Sequence, residues 1–332
     1  MTQRSLIQRF RRYLILSLMI AGVLAVSLML PLVFKQRSTA SDNFVAAVPI
    51  PGEAREVFFQ NPTDQTSLSG LIYEASGNDP SPLAVIIHGS GSSRRDNGWY
   101  LSLVRSLRDA GISVLLPDKR GCEKSEGDWI GVDLETLATD AEAAIRFVRN
   151  QPDREQVPVG IIGISQGGWI APIVASHVPD LAFVVDLSGT TATLEEQLAF
   201  EEFHNIAPYT YDMVASALAP ITAERVKRLD TVAALAGFDP VPWWNQTTAP
   251  VFFAYGENDT MCPVKLSVQR IQEQQLRHEL LKVYPSGGHG ILDESGQHIS
   301  QTFLGDLTQF IKESCAELLP LSQASFTAGG VK

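Results

Sequence analysis

Cysteine is scarce in this chain. Cys122, Cys262 and Cys315 are the only three, with no CxxC pair and no Cys/His spacing of a zinc site. That excludes a disulfide-built scaffold and gives no reason to expect a metal or other cofactor. Positive charge is also in short supply. Six of the 26 basic side chains but only one of the 37 acidic ones precede Asn43, so the remainder carries 36 acidic groups against 20 basic. A domain of that sign repels nucleic acid and anionic lipid surfaces, so neither is expected as a partner of the main body. Internal repeats and low-complexity tracts are missing too. With 45% hydrophobic and 19% charged residues, the 332-residue chain has the makings of one sizeable globular domain.

What is present begins with a charge-free stretch. Residues 1–12 form a basic segment containing Arg4, Arg9, Arg11 and Arg12, and Tyr13 to Phe34 follow without a charged side chain. As a helix this stretch would be about 33 Å long, enough to cross a bilayer core. It exceeds the roughly 7–15 apolar residues of a secretory signal, and Lys35 and Arg37 stand between it and the small-residue site at Ser38-Thr39-Ala40. A single-pass signal anchor over 13–34 is therefore expected, with cleavage near Ala40 and secretion as the alternative. Four arginines before the span against Lys35 and Arg37 after it keep the amino terminus cytoplasmic and put the rest outside. Residues 35–52 read as a linker and 317–332 as a flexible tail.

Between these ends the chain alternates strand and helix signals. Arg55 to Gln60 and Leu68 to Tyr73 suggest an antiparallel pair. Pro82 to Ile87, Ile112 to Leu116, Val159 to Ile162, Phe183 to Leu187, Pro250 to Tyr255 and Leu280 to Tyr284 read as buried strands. Helical spacing marks Trp99 to Ala110, Asp133 to Asn150 and Gly168 to Val178. Such alternation argues for a mainly parallel sheet with helices on both faces. It stops between Ser188 and Thr248, a stretch of about 60 residues that is too long for an unstructured loop. Leu194 to Phe203, Tyr211 to Leu218 and Ala223 to Ala236 predict helices there, and Phe200, Phe203, Tyr209, Tyr211, Trp243 and Trp244 make the stretch aromatic.

The chemistry concentrates where strands end. Gly163-Ile164-Ser165-Gln166-Gly167 follows an apolar strand and opens a helix, which exposes Ser165 on a tight turn as a candidate nucleophile. His88-Gly89-Ser90-Gly91 follows another strand, and backbone N–H groups in such a turn can face a developing oxyanion. Asp259 follows a third strand, with Glu257 and Asp186 as rivals for the acid. His289 stands in a glycine-rich turn after a fourth, with His298 and His278 as rivals. The order Ser165, Asp259, His289 differs from that of chymotrypsin-like and subtilisin-like enzymes.

These motifs, together with Asp118-Lys119-Arg120-Gly121-Cys122-Glu123-Lys124-Ser125-Glu126-Gly127, resemble the α/β-hydrolase superfamily, and within it esterases and prolyl-oligopeptidase-like serine hydrolases. The resemblance covers roughly Glu53 to Ala316 and implies an eight-stranded, mainly parallel sheet over 53–316 with a helical cap at 189–248. It implies acyl transfer by Ser165, with His289 as base, Asp259 orienting it, and the backbone N–H groups of Gln166 and Ser90 receiving the oxyanion. His88 would fix the oxyanion loop, Asp118 and Arg120 would form a turn, and His177 and His204 have no assigned role. Glu195-Glu196 and Glu201-Glu202 read as solvated helix faces, not an amine clamp. With the superfamily's strand order, Cys122 and Cys262 lie too far apart to bond, so free thiols are expected. The expected activity is carboxylesterase on a small-molecule or short-peptide acyl substrate. A serine peptidase or thioesterase is the alternative, and a catalytically silent, membrane-tethered binding protein the alternative of another class.

Overall fold

The computed structural model describes residues 11, 13–20, 22–23, 54–77, 81–152, 154, 156–285 and 287–318. The expected linker at 35–52 lies outside them, as do residues 24–34 of the expected span and 319–332 of the tail. Residues 13–20 and 22–23 are helical, and among the described residues no helix is long and apolar enough to cross a membrane.

Eight strands form one sheet in the order β1-β2-β4-β3-β5-β6-β7-β8. They are β1 (Arg55–Gln60), β2 (Ser67–Tyr73), β3 (Leu83–Ile87), β4 (Ser113–Pro117), β5 (Val159–Ile164), β6 (Val184–Leu187), β7 (Val251–Gly256) and β8 (Leu280–Tyr284). β1 and β2 pair antiparallel, as do β2 and β4, while every pairing from β4 to β8 is parallel. Among the described residues from 54 onward the helices are α1 (Gly98–Asp109), α2 (Leu134–Arg149), α3 (Gln166–His177), α4 (Leu194–Ile206), α5 (Asp212–Val226), α6 (Asp230–Ala233), α7 (Val241–Trp244), α8 (Val264–Glu273) and α9 (Gln301–Cys315).

β3 to β7 are buried on both faces because successive side chains serve two cores. Ile161, Val184 and Phe253 join Leu137, Ile145 and Ile173 beneath α2 and α3. Ile162, Val185 and Phe252 join Leu103, Leu107, Phe303 and Phe310 beneath α1 and α9. This period-two partition makes each of these five strands read as a continuous apolar run, while edge strand β1 alternates exposed and buried residues. The parallel order also brings every catalytic candidate to one edge, since Ser90, Ser165, Asp259 and His289 all follow the carboxyl ends of β3, β5, β7 and β8.

The interruption after β6 is helical, but not as the sequence suggests. Tyr211 to Leu218 and the first turn of Ala223 to Ala236 belong to one helix, α5, which runs through Pro220. The third predicted helix, Ala223 to Ala236, stops being continuous at Val226, and within its span only the single turn of α6 follows. α4 has a complete capping box, with Thr193 and Glu196 satisfying each other's backbone N–H. All three cysteines are buried free thiols. Cys122 and Cys262 follow β4 and β7, which stand four positions apart in the sheet.

Candidate active site

Ser165 sits at the junction of β5 and α3 with φ 55° and ψ −117°, a strained backbone for a residue other than glycine. The turn is closed so tightly that the flanking glycines have no substitute. A Cβ at Gly163 would lie 2.3 Å from the Gly167 carbonyl oxygen, and one at Gly167 would lie 2.2 Å from that of Ile87. The hydroxyl of Ser165 makes no hydrogen bond among the described residues and lines a cavity of about 370 Å³. Gln166 opens α3, so its backbone N–H has no intrahelical acceptor and lies at the positive end of the helix dipole.

The loop after β3 passes directly over the serine, where a Cβ on Gly89 would come within 3.2 Å of Ser165 Cβ. Gly89 N–H donates to Tyr100 Oη at 3.2 Å and is thereby occupied. The next donor is Ser90, which lines the same cavity. His88 turns away from it: Nε2 lies 2.6 Å from the Pro117 carbonyl oxygen, tying the loop to the end of β4, while Nδ1 is buried without a partner. Burial pushes the His88 pKa down to about 4, so the ring is neutral. Tyr100 is half-buried, and burial of its hydroxyl raises that group to about 12.

Asp259 and His289 meet. His289 Nδ1 lies 2.8 Å from Asp259 Oδ2, and the carboxylate is fully buried while the imidazole is partly open. The other oxygen, Oδ1, accepts from Met261 N–H at 2.7 Å and Cys262 N–H at 2.9 Å, which fixes the carboxylate in its loop. The two loops are joined by Asn258 N–H to the Gly287 carbonyl oxygen at 2.8 Å. Trp99 Nε1–H donates to the Gly290 carbonyl oxygen at 2.9 Å, anchoring the histidine turn on α1.

The rivals fall elsewhere. Glu257 is exposed. Asp186 is wholly buried, where it accepts from Gly189 N–H at 2.9 Å and Tyr255 Oη–H at 3.4 Å. His278 faces the Leu276 carbonyl oxygen, and the His298 imidazole is exposed beside Asp293. The last helix starts at Gln301 after the Ser300 cap, three residues beyond His298. His177 pairs with Glu142 and His204 with the Phe200 carbonyl, away from the cavity.

The cavity wall corrects one expectation about the cap, the solvated face at Glu201-Glu202, and its own lining is aliphatic. None of the six cap aromatics lines it; the aliphatic Leu194, Leu198, Val226, Leu229, Val232 and Leu235 do, with Trp129 and Trp169 from the main body. Trp244 packs instead against Phe253. Glu201 and Glu202 are not simply solvated, for both line the cavity. Burial first, then the like charges of Glu202 and Asp259, hold the Glu201 carboxyl above the usual carboxylate range, with His289 acting in the opposite direction. Ser188 Oγ and Gln197 Oε1 are buried without partners in the same wall.

Asp118 and Arg120 are structural and outside the cavity. Asp118 holds Arg95 through two hydrogen bonds, and Arg120 grips Asp140 through two nitrogens at 2.6 and 2.7 Å. Sequence reasoning missed Tyr100, Trp129 and Lys119. Lys119 is buried with Nζ 2.8 Å from the Gly89 carbonyl oxygen.

The profile of the alpha/beta hydrolase family matches residues 84–298. The chain is 23% identical over 275 residues to a monoacylglycerol lipase of Mycolicibacterium smegmatis, spanning 73% of this chain and 92% of that protein. It is 24% identical over 277 residues to a bifunctional esterase/perhydrolase of Acinetobacter calcoaceticus, spanning 73% and 96%. Among solved structures, an esterase of Pyrococcus furiosus superposes with a TM-score of 0.58 at 20% identity, covering 84% of this chain and all of that one. An esterase of Exiguobacterium antarcticum superposes at 0.54 with 17% identity, covering 76% and 98%.

Proposed function

Because this chain belongs to the alpha/beta hydrolase family, we propose that it is a serine hydrolase that cleaves a carboxylic ester through an acyl-enzyme. The observation that carries the reading is the 2.8 Å contact of His289 Nδ1 with Asp259 Oδ2, on the same sheet edge as a strained Ser165 that opens on a cavity. With Nδ1–H donated to Asp259, the other ring nitrogen of His289 is left as the base.

His289 takes the Ser165 proton as Oγ bonds to the ester carbonyl carbon. The oxyanion is received by the backbone N–H groups of Gln166 and Ser90. Collapse breaks the bond to the alcohol oxygen, which leaves with the proton from His289. Water then attacks the acyl-enzyme with His289 again as base, releasing the acid and restoring Ser165. The hydrogen bond from Ser165 to His289 forms in the substrate complex, as catalytic contacts often tighten on binding.

Relatives named lipase and esterase favour ester over amide and thioester cleavage, and the aliphatic wall suits the acyl chain that all three substrates share. We further propose that residues 13–34 anchor the chain in a bilayer with the catalytic domain outside the cytoplasm, on the strength of their charge-free run. Carbonate-resistant membrane association of the full chain is expected, and a mature amino terminus near Ser41 would refute the anchor.

The test is treatment with a fluorophosphonate probe beside a Ser165→Ala control, with the labelled residue read by mass spectrometry. Labelling at Ser165 supports the hydrolase. A folded protein that resists the probe and turns over no ester, thioester or amide would instead be a silent binding protein.

A further inference from the structure

Lys119 follows β4 and carries a buried ammonium with an unusual set of partners. Nζ donates to the carbonyl oxygens of Gly89 at 2.8 Å and Gly91 at 3.1 Å and to Gln166 Oε1 at 3.2 Å. The Trp129 ring covers it, with its centroid 5.1 Å away. Three donors thus meet three neutral acceptors and an aromatic face. No carboxylate forms an ion pair with it among the described residues, and the adjacent Asp118 is engaged by Arg95. Burying an ammonium without a counter-ion is costly, so its retention here calls for a reason.

The reason lies in what the three acceptors belong to. Gly89 and Gly91 flank Ser90, and Gln166 follows the nucleophile. In a trans peptide the carbonyl and the following N–H point in opposite directions. Holding the Gly89 oxygen therefore aims the Ser90 N–H away from the ammonium. The preceding peptide is held by its own N–H, which donates to Tyr100. Two consecutive peptides of the loop above Ser165 are thus fixed from opposite sides, and the same ammonium reaches across to α3.

We propose that Lys119 is a positioning residue of the oxyanion site: it locks the Ser90 and Gln166 segments together and places an uncompensated positive charge behind both. This rests on the hydrolase reading of Ser165. Its charge gains a partner only when the oxyanion develops, so it stabilises the transition state more than the ester. Gripping a carbonyl also polarises its peptide and strengthens the N–H on the far side.

The other titratable or charged groups around the ammonium are His88, Cys122, Asp118 and Arg120. His88 is neutral, and the two ionised neighbours are spent on Arg95 and on Asp140. Burial lowers the Lys119 pKa to about 8, so the clamp loses its proton on the alkaline side.

Lys119→Met and Lys119→Gln should be compared with the wild type for turnover of a short p-nitrophenyl ester. Inhibition by phenylboronic acid, which forms an anionic tetrahedral adduct on serine, should be measured alongside. For Lys119→Met, kcat is expected to fall about 10- to 100-fold with KM within about twofold, and boronate affinity to fall in parallel. The wild type's loss of kcat above about pH 8 should vanish in this variant. Lys119→Gln, which keeps amide donors without the charge, should lie between and covers the case that the methionine variant does not fold. A folded variant with kcat and boronate affinity near wild type would overturn the proposal, as would a loss confined to KM. If the wild type itself is not labelled at Ser165, the hydrolase reading fails first; if it is labelled and the variants react as fast, only the role of Lys119 fails.

Discussion

Asp259 uses its two oxygens for different tasks. Oδ1 is fixed by the backbone N–H groups of Met261 and Cys262, and Oδ2 alone faces His289 Nδ1 at 2.8 Å. The division lets the loop keep its shape whatever happens on the histidine side. Asp259→Asn can retain the Oδ1 contacts while presenting an N–H to the ring, which favours the wrong tautomer. Its expected effect is a kcat loss of about 10³- to 10⁴-fold with little change in the urea midpoint. Ester turnover and urea unfolding measured on one preparation check this, and an active Asp259→Asn would remove Asp259 from the mechanism.

Gly167 tests the steric basis of the turn. Its Cβ position lies 2.2 Å from the Ile87 carbonyl oxygen, and backbone cannot yield as a side-chain tip would. Gly167→Ala is expected to lose about 3 kcal/mol or more of stability and to accumulate as insoluble protein. A soluble variant with an unchanged thermal midpoint would show that β3 and α3 can separate.

Arg120 separates structure from chemistry within one motif. Its guanidinium is bound to Asp140 and Asp64 with only 6% of the side chain exposed. Removing it strands a carboxylate, so Arg120→Leu should cost on the order of 3 kcal/mol in urea unfolding. The kcat of the folded fraction should stay within about twofold. A stable variant with depressed kcat would mean that Arg120 reaches the substrate.

Asp186 gives the domain a pH dependence of its own. Burial raises its pKa to about 7, so between the unfolded value of 3.8 and about 7 the folded state holds a proton that the unfolded state has lost. Stability from this group is therefore full below 3.8, declines as pH rises to about 7, and is level above. Asp186→Asn keeps an acceptor for Gly189 N–H without the charge. Its stability relative to wild type should rise from pH 4 to pH 8 by on the order of 2–4 kcal/mol. Equal differences at both pH values would show that Asp186 stays ionised in the fold.

The legibility of these features in the sequence follows from their range. The turn at Ser165 is encoded within five residues by contacts that only glycine permits, so its pattern can be read directly. Asp259 and His289 each follow an apolar strand, and the parallel order of those strands brings them together. Lys119 and Tyr100 gave no such signal, because their partner Gly89 is supplied by a different strand and side-chain reach is not periodic. The expected helices at Tyr211 to Leu218 and Ala223 to Ala236 leave a gap around Pro220 that α5 runs through. The helix Val264–Glu273 went unread because only Val264, Ser267 and Ile271 are buried on it. Glu201 looked solvated because a charge pair on a helix usually is, and only the fold over Ser165 turns it inward.

The cavity wall should set acyl-chain length. Leu235 is 6% exposed and lines the cavity from the cap, in a wall to which the main body contributes Ser165 and Trp169. A cavity of about 370 Å³ is at the small end of ligand sites, so one larger side chain removes a sizeable share of it. Leu235→Trp should leave kcat/KM for an acetyl ester within about threefold and lower it at least tenfold for an octanoyl ester, since each lost methylene contact is worth about 0.8 kcal/mol. A series of p-nitrophenyl esters from acetyl to octanoyl reads the shift. If the profile instead falls uniformly, the acyl group does not occupy the space beneath α4 to α6, and the aliphatic wall serves the leaving group.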